Sequence, residues 1–213
     1  MKTIRVIIVL ILLSPALVWA QANKYTAAMQ KSLETLKSAK TADEMLAVAN
    51  QFERIANAER TEWLPLYYAS YANLLGGIIT TDNMKKDPLF DKAMKGVKDA
   101  AAISADNSEI YTLLGYITFM KMTVDPQSRA MQMIGPANEA LAKAKALDPL
   151  NPRPDLVSGQ NTFYTPEAFG GGKERAKPLL ETAMAKYEKF QAGDPVSPDW
   201  GKERCRALLE MCK

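Results

Sequence analysis

The chain of 213 residues contains no histidine. That absence removes Ser-His and Cys-His dyads, the commonest general base at neutral pH and the commonest zinc ligand. Cysteine is nearly as scarce: Cys205 and Cys212 stand together near the end of the chain, without a partner that would make them a metal site. Strong charge of one sign is missing too. Lys and Arg total 27 against 24 Asp and Glu, and the formal net charge of +3 falls to about +1 once Lys2 and Arg5 are set aside. No basic block marks a phosphate-backbone footprint, so nucleic acid is excluded as a partner. Beyond the first twenty residues no apolar run is long enough to span a bilayer, which needs about 20 residues as a helix. Carboxylates are plentiful but fall in amphipathic patterns that a solvated face explains, and no convergent set of acid and base groups stands out. Nothing in the sequence calls for a metal or a cofactor, and the chain reads as a non-enzyme.

What is present is helical. Alanine and leucine dominate, aromatics make up 8%, and long segments repeat with a helical rather than an alternating period. The first twenty residues have a different grammar. Lys2 and Arg5 precede the apolar run from Val6 to Leu13, Ser14-Pro15 breaks it, and Val18-Trp19-Ala20 ends in a small residue. This is the pattern of a signal peptide cleaved after Ala20, which leaves 21–213 as one exported domain beginning at Gln21, soluble and not membrane-embedded.

Within that domain a hairpin pattern recurs. Tyr111-x2-Leu114-Gly115 lies on one helix and Ala137-x3-Leu141-x2-Ala144, closed by Pro149, on the next. A small residue on the first helix permits close approach, Leu and Ala on the second form the seam, and proline stops the chain. The seam spacing returns at Ala93, Val97, Ala100 and at Ala176, Leu180, Ala183. Tyr25 to Ser38 is predicted as a first helix, with Thr41-x2-Glu44 as a capping box opening a second that runs to about Glu59. Trp63 to Ile79 is the next, with Ala69 and Ala72 as its packing positions, and Asp87-Pro88 is expected to open its partner. A short helix from Leu156 to Tyr164 carries Gly159, and Pro198-Asp199 is expected to open a terminal capping helix through Met211.

These residues resemble the tetratricopeptide (TPR) repeat. The resemblance implies an all-α solenoid of about four irregular hairpins plus a C-terminal capping helix. The chain departs from the standard period of about 34 residues, with about ten extra between Gly115 and Ala137. The run from Thr165 through Gly170-Gly171-Gly172 to Ala176 is similar to one in uncharacterised exported TPR-like proteins of Gram-negative bacteria, and more loosely to the periplasmic TPR component of TRAP-type transport systems. The implied function is a periplasmic, non-enzymatic binding or assembly module for a protein or peptide partner. The alternative is a ligand-binding or delivery component of a transport system, holding a small organic molecule.

In such proteins the first helices line the concave surface. Registering the hairpins by Ala69, Gly115 and Gly159 assigns Asn73, Tyr116, Phe119, Gln160, Phe163 and Tyr164 to a groove, where rings bury area and amides orient a ligand. The same residue types also serve as inter-hairpin core. Gly171, Gly172 and Lys173 form a candidate anion site at a helix start. They lack phosphate-loop spacing, and the alternative is a connection in which glycines permit positive φ and Phe169 folds back on the helices. Met120 with Met122 and Met131 with Met133 suggest copper(I), but residues two apart on a helix point about 200° away from each other, so core filling is the better account. Cys205 and Cys212 stand about 10.5 Å apart along a continuous helix, beyond the ~7 Å between Cα atoms that a disulfide tolerates, which predicts free thiols.

Overall fold

The computed structural model describes residues 23–213, so the leader and its cleavage point lie outside the described residues. Helices α1 (23–38), α2 (Ala42–Ala58), α3 (Trp63–Ile79), α4 (Asn83–Ile103), α5 (Ser108–Met122), α6 (Pro126–Leu147), α7 (Arg153–Tyr164), α8 (Lys173–Tyr187) and α9 (Lys202–Met211) follow one another, with no strand among the described residues. Neighbours α2–α3, α3–α4, α5–α6 and α7–α8 pack antiparallel, α1 adds Met29, Leu33 and Leu36 to the same core, and α9 covers the last pair. The all-α, solenoid-like architecture expected from the seam spacing is the one observed.

Local chemistry sets the boundaries. Thr41 and Glu44 form the reciprocal capping box at α2, Asn107 accepts from the backbone N–H groups of Glu109 and Ile110, and Asp125 with Pro126 opens α6. Three helix starts differ from expectation, the first being α7, which begins at Arg153 rather than Leu156. Helix α4 begins at Asn83, capped by Asp82, so Pro88 lies inside it. The carbonyl that Pro88 leaves without a donor belongs to Met84, a residue 84% exposed to water. Helix α9 begins only at Lys202, because Gly201 (φ 111°) breaks the chain direction just before it. The extra residues between Gly115 and Ala137 are absorbed as added turns of α6 rather than as a loop.

The seams are buried as the spacing requires: Ala93, Val97 and Ala100, then Ala137, Leu141 and Ala144, then Ala176, Leu180 and Ala183. The partners of the second and third seams are glycines. A Cβ on Gly115 would lie 2.8 Å from Leu141 Cγ, and one on Gly159 would lie 2.7 Å from Leu180 Cδ2, so only glycine admits these crossings.

Between α8 and α9, residues 188–201 return across the first helices as a strap. Tyr68 donates to the Val196 carbonyl (2.9 Å), Lys37 pairs with Asp199 (3.0 Å), Tyr187 donates to the Trp200 carbonyl (3.0 Å), and Arg153 donates to the Pro198 carbonyl. The thiols of Cys205 and Cys212 are free.

Candidate functional site

The first helices α3, α5 and α7 each present one stripe to a common cleft of ≈ 580 Å³. On α3 the stripe is Tyr71, Leu75 and Ile78; on α5 it is Tyr116, Phe119, Met120 and Thr123. On α7 it is Leu156, Val157, Gln160, Asn161 and Tyr164. Steps of three and four residues keep each set on one face of its helix. The strap and α9 supply the remaining wall with Trp200, Gly201 and Arg204. Among the described residues the lining holds no Asp, Glu, Lys or Cys, so they offer no carboxylate or amine for acid–base work.

Trp200 is fixed from two sides. Its ring stacks on Tyr71 with centroids 4.8 Å apart, and its Nε1 donates to the Tyr67 hydroxyl at 2.8 Å. Tyr67 donates in turn to Glu109 Oε2 (3.1 Å), which also accepts from Arg153 Nε (3.0 Å), while Asn151 Nδ2 donates to Glu109 Oε1 (2.7 Å). The Arg153 guanidinium lies over the Phe190 and Trp200 rings, 4.5 and 5.8 Å from their centroids. This buried knot ties α3, α5 and α7 to the strap, and with them the aromatic wall.

A second polar chain crosses the other side of the cleft. Gln160 Nε2 donates to the Tyr116 hydroxyl (2.7 Å), Arg204 Nε donates to Gln160 Oε1 (2.9 Å), and Arg204 Nη2 donates to the Tyr164 hydroxyl (2.7 Å). Desolvation holds the Tyr71 hydroxyl well above its ordinary pKa and raises that of Tyr116, so both phenols are neutral near pH 7. Asn161, buried in the lining, has neither side-chain Nδ2 nor Oδ1 hydrogen-bonded.

Four of the six residues assigned to a groove from sequence therefore meet in one cleft: Tyr116, Phe119, Gln160 and Tyr164. Phe163 does not. It packs edge-on to Tyr164 and against the cluster of Leu156, Ala176, Leu180 and Ala183. Asn73 lies on the far side of α3, where its Nδ2 donates to the Ala69 carbonyl (3.0 Å), and it lines a separate cleft with Glu53, Ser70 and Gly96. The residue of α3 that corresponds to Gly115 and Gly159 is Ser70, which leaves room for Tyr71 to follow it as Tyr116 follows Gly115. Registering on Ala69 is one residue out, a rotation of about 100°. Tyr71, Asn161, Trp200 and Arg204 were missed. The first was legible as an aromatic on α3, but nothing in the local pattern places the strap.

In the glycine loop, the Gly171 and Gly172 N–H groups donate to the carbonyls of Pro166 (3.1 Å) and Thr162 (2.9 Å), and the Glu167 side chain packs against Gly172. Those two donors are engaged and a carboxylate sits beside them, which disfavours the anion site expected at Gly171, Gly172 and Lys173. Gly170 and Gly172 take positive φ (86° and 102°), as a glycine connection allows, but Phe169 is 81% exposed and does not fold back.

No protein-family model and no curated protein matches the chain. Among solved structures it is similar to the HusA haemophore from Porphyromonas gingivalis, with 30% sequence identity and a TM-score of 0.79, over 89% of this chain and 92% of that one.

Proposed function

From its membership in the family of the HusA haemophore, we propose that this chain is an exported, non-enzymatic binding protein whose cleft takes a porphyrin of the haem type. The observation that carries the reading is the wall formed by Tyr71 stacked on Trp200, facing Phe119, Met120 and the aliphatic side chains of α7 across ≈ 580 Å³. Clefts of about 300–1,000 Å³ that are mainly apolar with a few placed polar groups are the usual form of small-ligand sites. A flat conjugated ring matches such a wall, because ring faces bury large area and stack.

The donor set fits the ring better than the metal. Haem iron in proteins is held by His, Cys, Met or Tyr. This chain has no histidine, the Cys205 thiol is turned to the Leu180 carbonyl (3.3 Å), and desolvation disfavours the phenolates of Tyr71 and Tyr116. The thioether of Met120 and the Tyr164 hydroxyl, which accepts from Arg204 Nη2 (2.7 Å), are the donors left on the lining. Bound haem would supply a large apolar disc and two propionate carboxylates. Tyr71, Phe119 and Trp200 would hold the disc, and the Arg153 knot would keep Trp200 in place. The sequence-based alternative of a small-ligand carrier is thus favoured over the scaffold for a protein partner.

Absorbance titration of the purified protein with haemin tests this. A saturable Soret shift is expected, weakened about five- to tenfold in Tyr71→Leu, since a ring–ring pair contributes ~1 kcal/mol. Absence of saturable binding, or a Tyr71→Leu variant that binds as the parent does, would overturn it.

A further inference from the structure

The cleft keeps two polar groups that holding an apolar disc does not require. Asn161 is 6% exposed, and neither its Nδ2 nor its Oδ1 has a partner. A buried unpaired polar group costs the fold free energy that an aliphatic side chain of similar shape would not. The backbone does not need the amide either, because the Asn161 carbonyl already accepts from the Thr165 N–H (3.1 Å) and hydroxyl (2.8 Å). Val157, one turn earlier on the same stripe, is aliphatic and fully buried. A side chain that weakens the ligand-free fold at a lined cleft points to something the cleft receives.

Arg204 is the second group. Nε and Nη2 are held by Gln160 Oε1 and the Tyr164 hydroxyl, both neutral acceptors, and the ring of Tyr164 lies 5.6 Å from the guanidinium carbon. Among the described residues no carboxylate lines this cleft, and Asp199 and Glu203, which share the adjoining cleft with Arg204, are paired with Lys37 and Arg206. The guanidinium is therefore oriented by neutral groups and its charge is left for a ligand. The relay fixes it further, since Gln160 Nε2 is committed to Tyr116 and its Oε1 must face Arg204. A planar guanidinium with free donors is the side chain best suited to a carboxylate.

We infer that Arg204 and Asn161 recognise carboxylates, so that the cleft selects porphyrins with free acid side chains over their neutral esters. The inference rests on the porphyrin reading above. Arg204, on α9, pairs with one carboxylate; Asn161, on α7, donates Nδ2 to a second acid group and offers Oδ1 to an N–H or O–H donor. Two anchor points on one cleft suit a ligand with two acidic arms.

The test uses the whole mature chain with protoporphyrin IX and its dimethyl ester as probes. The parent is expected to bind the free acid at least about tenfold more tightly than the ester, the equivalent of ~1.4 kcal/mol. Arg204→Leu should lose most of that preference by weakening the acid alone, and Arg204→Lys should restore part of it. Asn161→Leu should weaken the free acid while raising the melting temperature of the ligand-free protein, the reverse of what a structural asparagine would do. Equal binding of acid and ester by the parent, or a lowered melting temperature in Asn161→Leu, overturns the inference and leaves the porphyrin reading standing. Binding of neither probe overturns both.

Discussion

Arg153 joins α5, α7 and the strap at one buried point. It is 1% exposed, yet it carries a charge that Glu109 neutralises and the Pro198 carbonyl and two rings help to solvate. Removing one partner of a buried pair strands the other, at a cost of about 3–5 kcal/mol. Arg153→Met is therefore expected to lower stability by that order in urea denaturation, and Arg153→Met with Glu109→Leu should recover part of the loss. At the same scale, burial pushes the Cys205 thiol up to about 11, while Cys212 is half-buried at the chain end. Maleimide at neutral pH should label Cys212 in the folded protein and Cys205 only in denaturant. Equal labelling rates, or a disulfide between them in mass mapping, would contradict this arrangement.

Between elements, the decisive contacts are the glycine crossings and one clasp. Gly115→Ala forces a methyl to 2.8 Å from Leu141 Cγ and 3.0 Å from the Ala137 carbonyl oxygen, so α5 and α6 must separate. Overpacking of this kind costs about 1–3 kcal/mol, which thermal denaturation would read directly. The clasp joins α4 to α6: Arg129 donates to both carboxylate oxygens of Asp87, at 2.6 and 2.7 Å. Those hydrogen bonds hold the Asp87 carboxyl below its usual range. A carboxyl whose folded pKa is depressed stabilises the protein above its unfolded pKa, near ~3.9, and that contribution is lost as pH falls through the folded value. Asp87→Asn should flatten the acid limb of a stability–pH profile below about pH 4. The effect should stay under ~1 kcal/mol, because the pair is about a third exposed.

For the molecule as a whole, the strap and α9 both cap the stack and complete the cleft. Truncation after Tyr187 removes Trp200, Arg204 and the cover over Tyr68. The remaining helices should still give a helical circular dichroism spectrum, since each hairpin keeps its seam. Dye binding to exposed apolar surface should rise, the melting temperature should fall, and haemin should no longer bind saturably. A truncated chain that binds haemin like the parent would show that the strap is only a cap.

The sequence by itself determined the hairpins. Capping boxes, seam spacing and glycine crossings act over a few residues, so Thr41 with Glu44, the three Ala-x3-(Leu/Val)-x2-Ala seams, and Gly115 and Gly159 were all legible. Four residues that line the cleft were legible too, because Gly115 and Gly159 put α5 and α7 in one register. On α3, where Ser70 takes the glycine's place, the pattern is ambiguous by one residue, and one residue is enough to turn Asn73 away from the cleft. The fourth wall was decided only by tertiary structure. Trp200 meets Tyr71 because the chain returns across the stack, drawn by the hydrogen bonds of Tyr68 and Tyr187 and by the buried charge of Arg153. Contacts between residues so far apart leave no periodic trace in the sequence, since they depend on the shape that the helices make together.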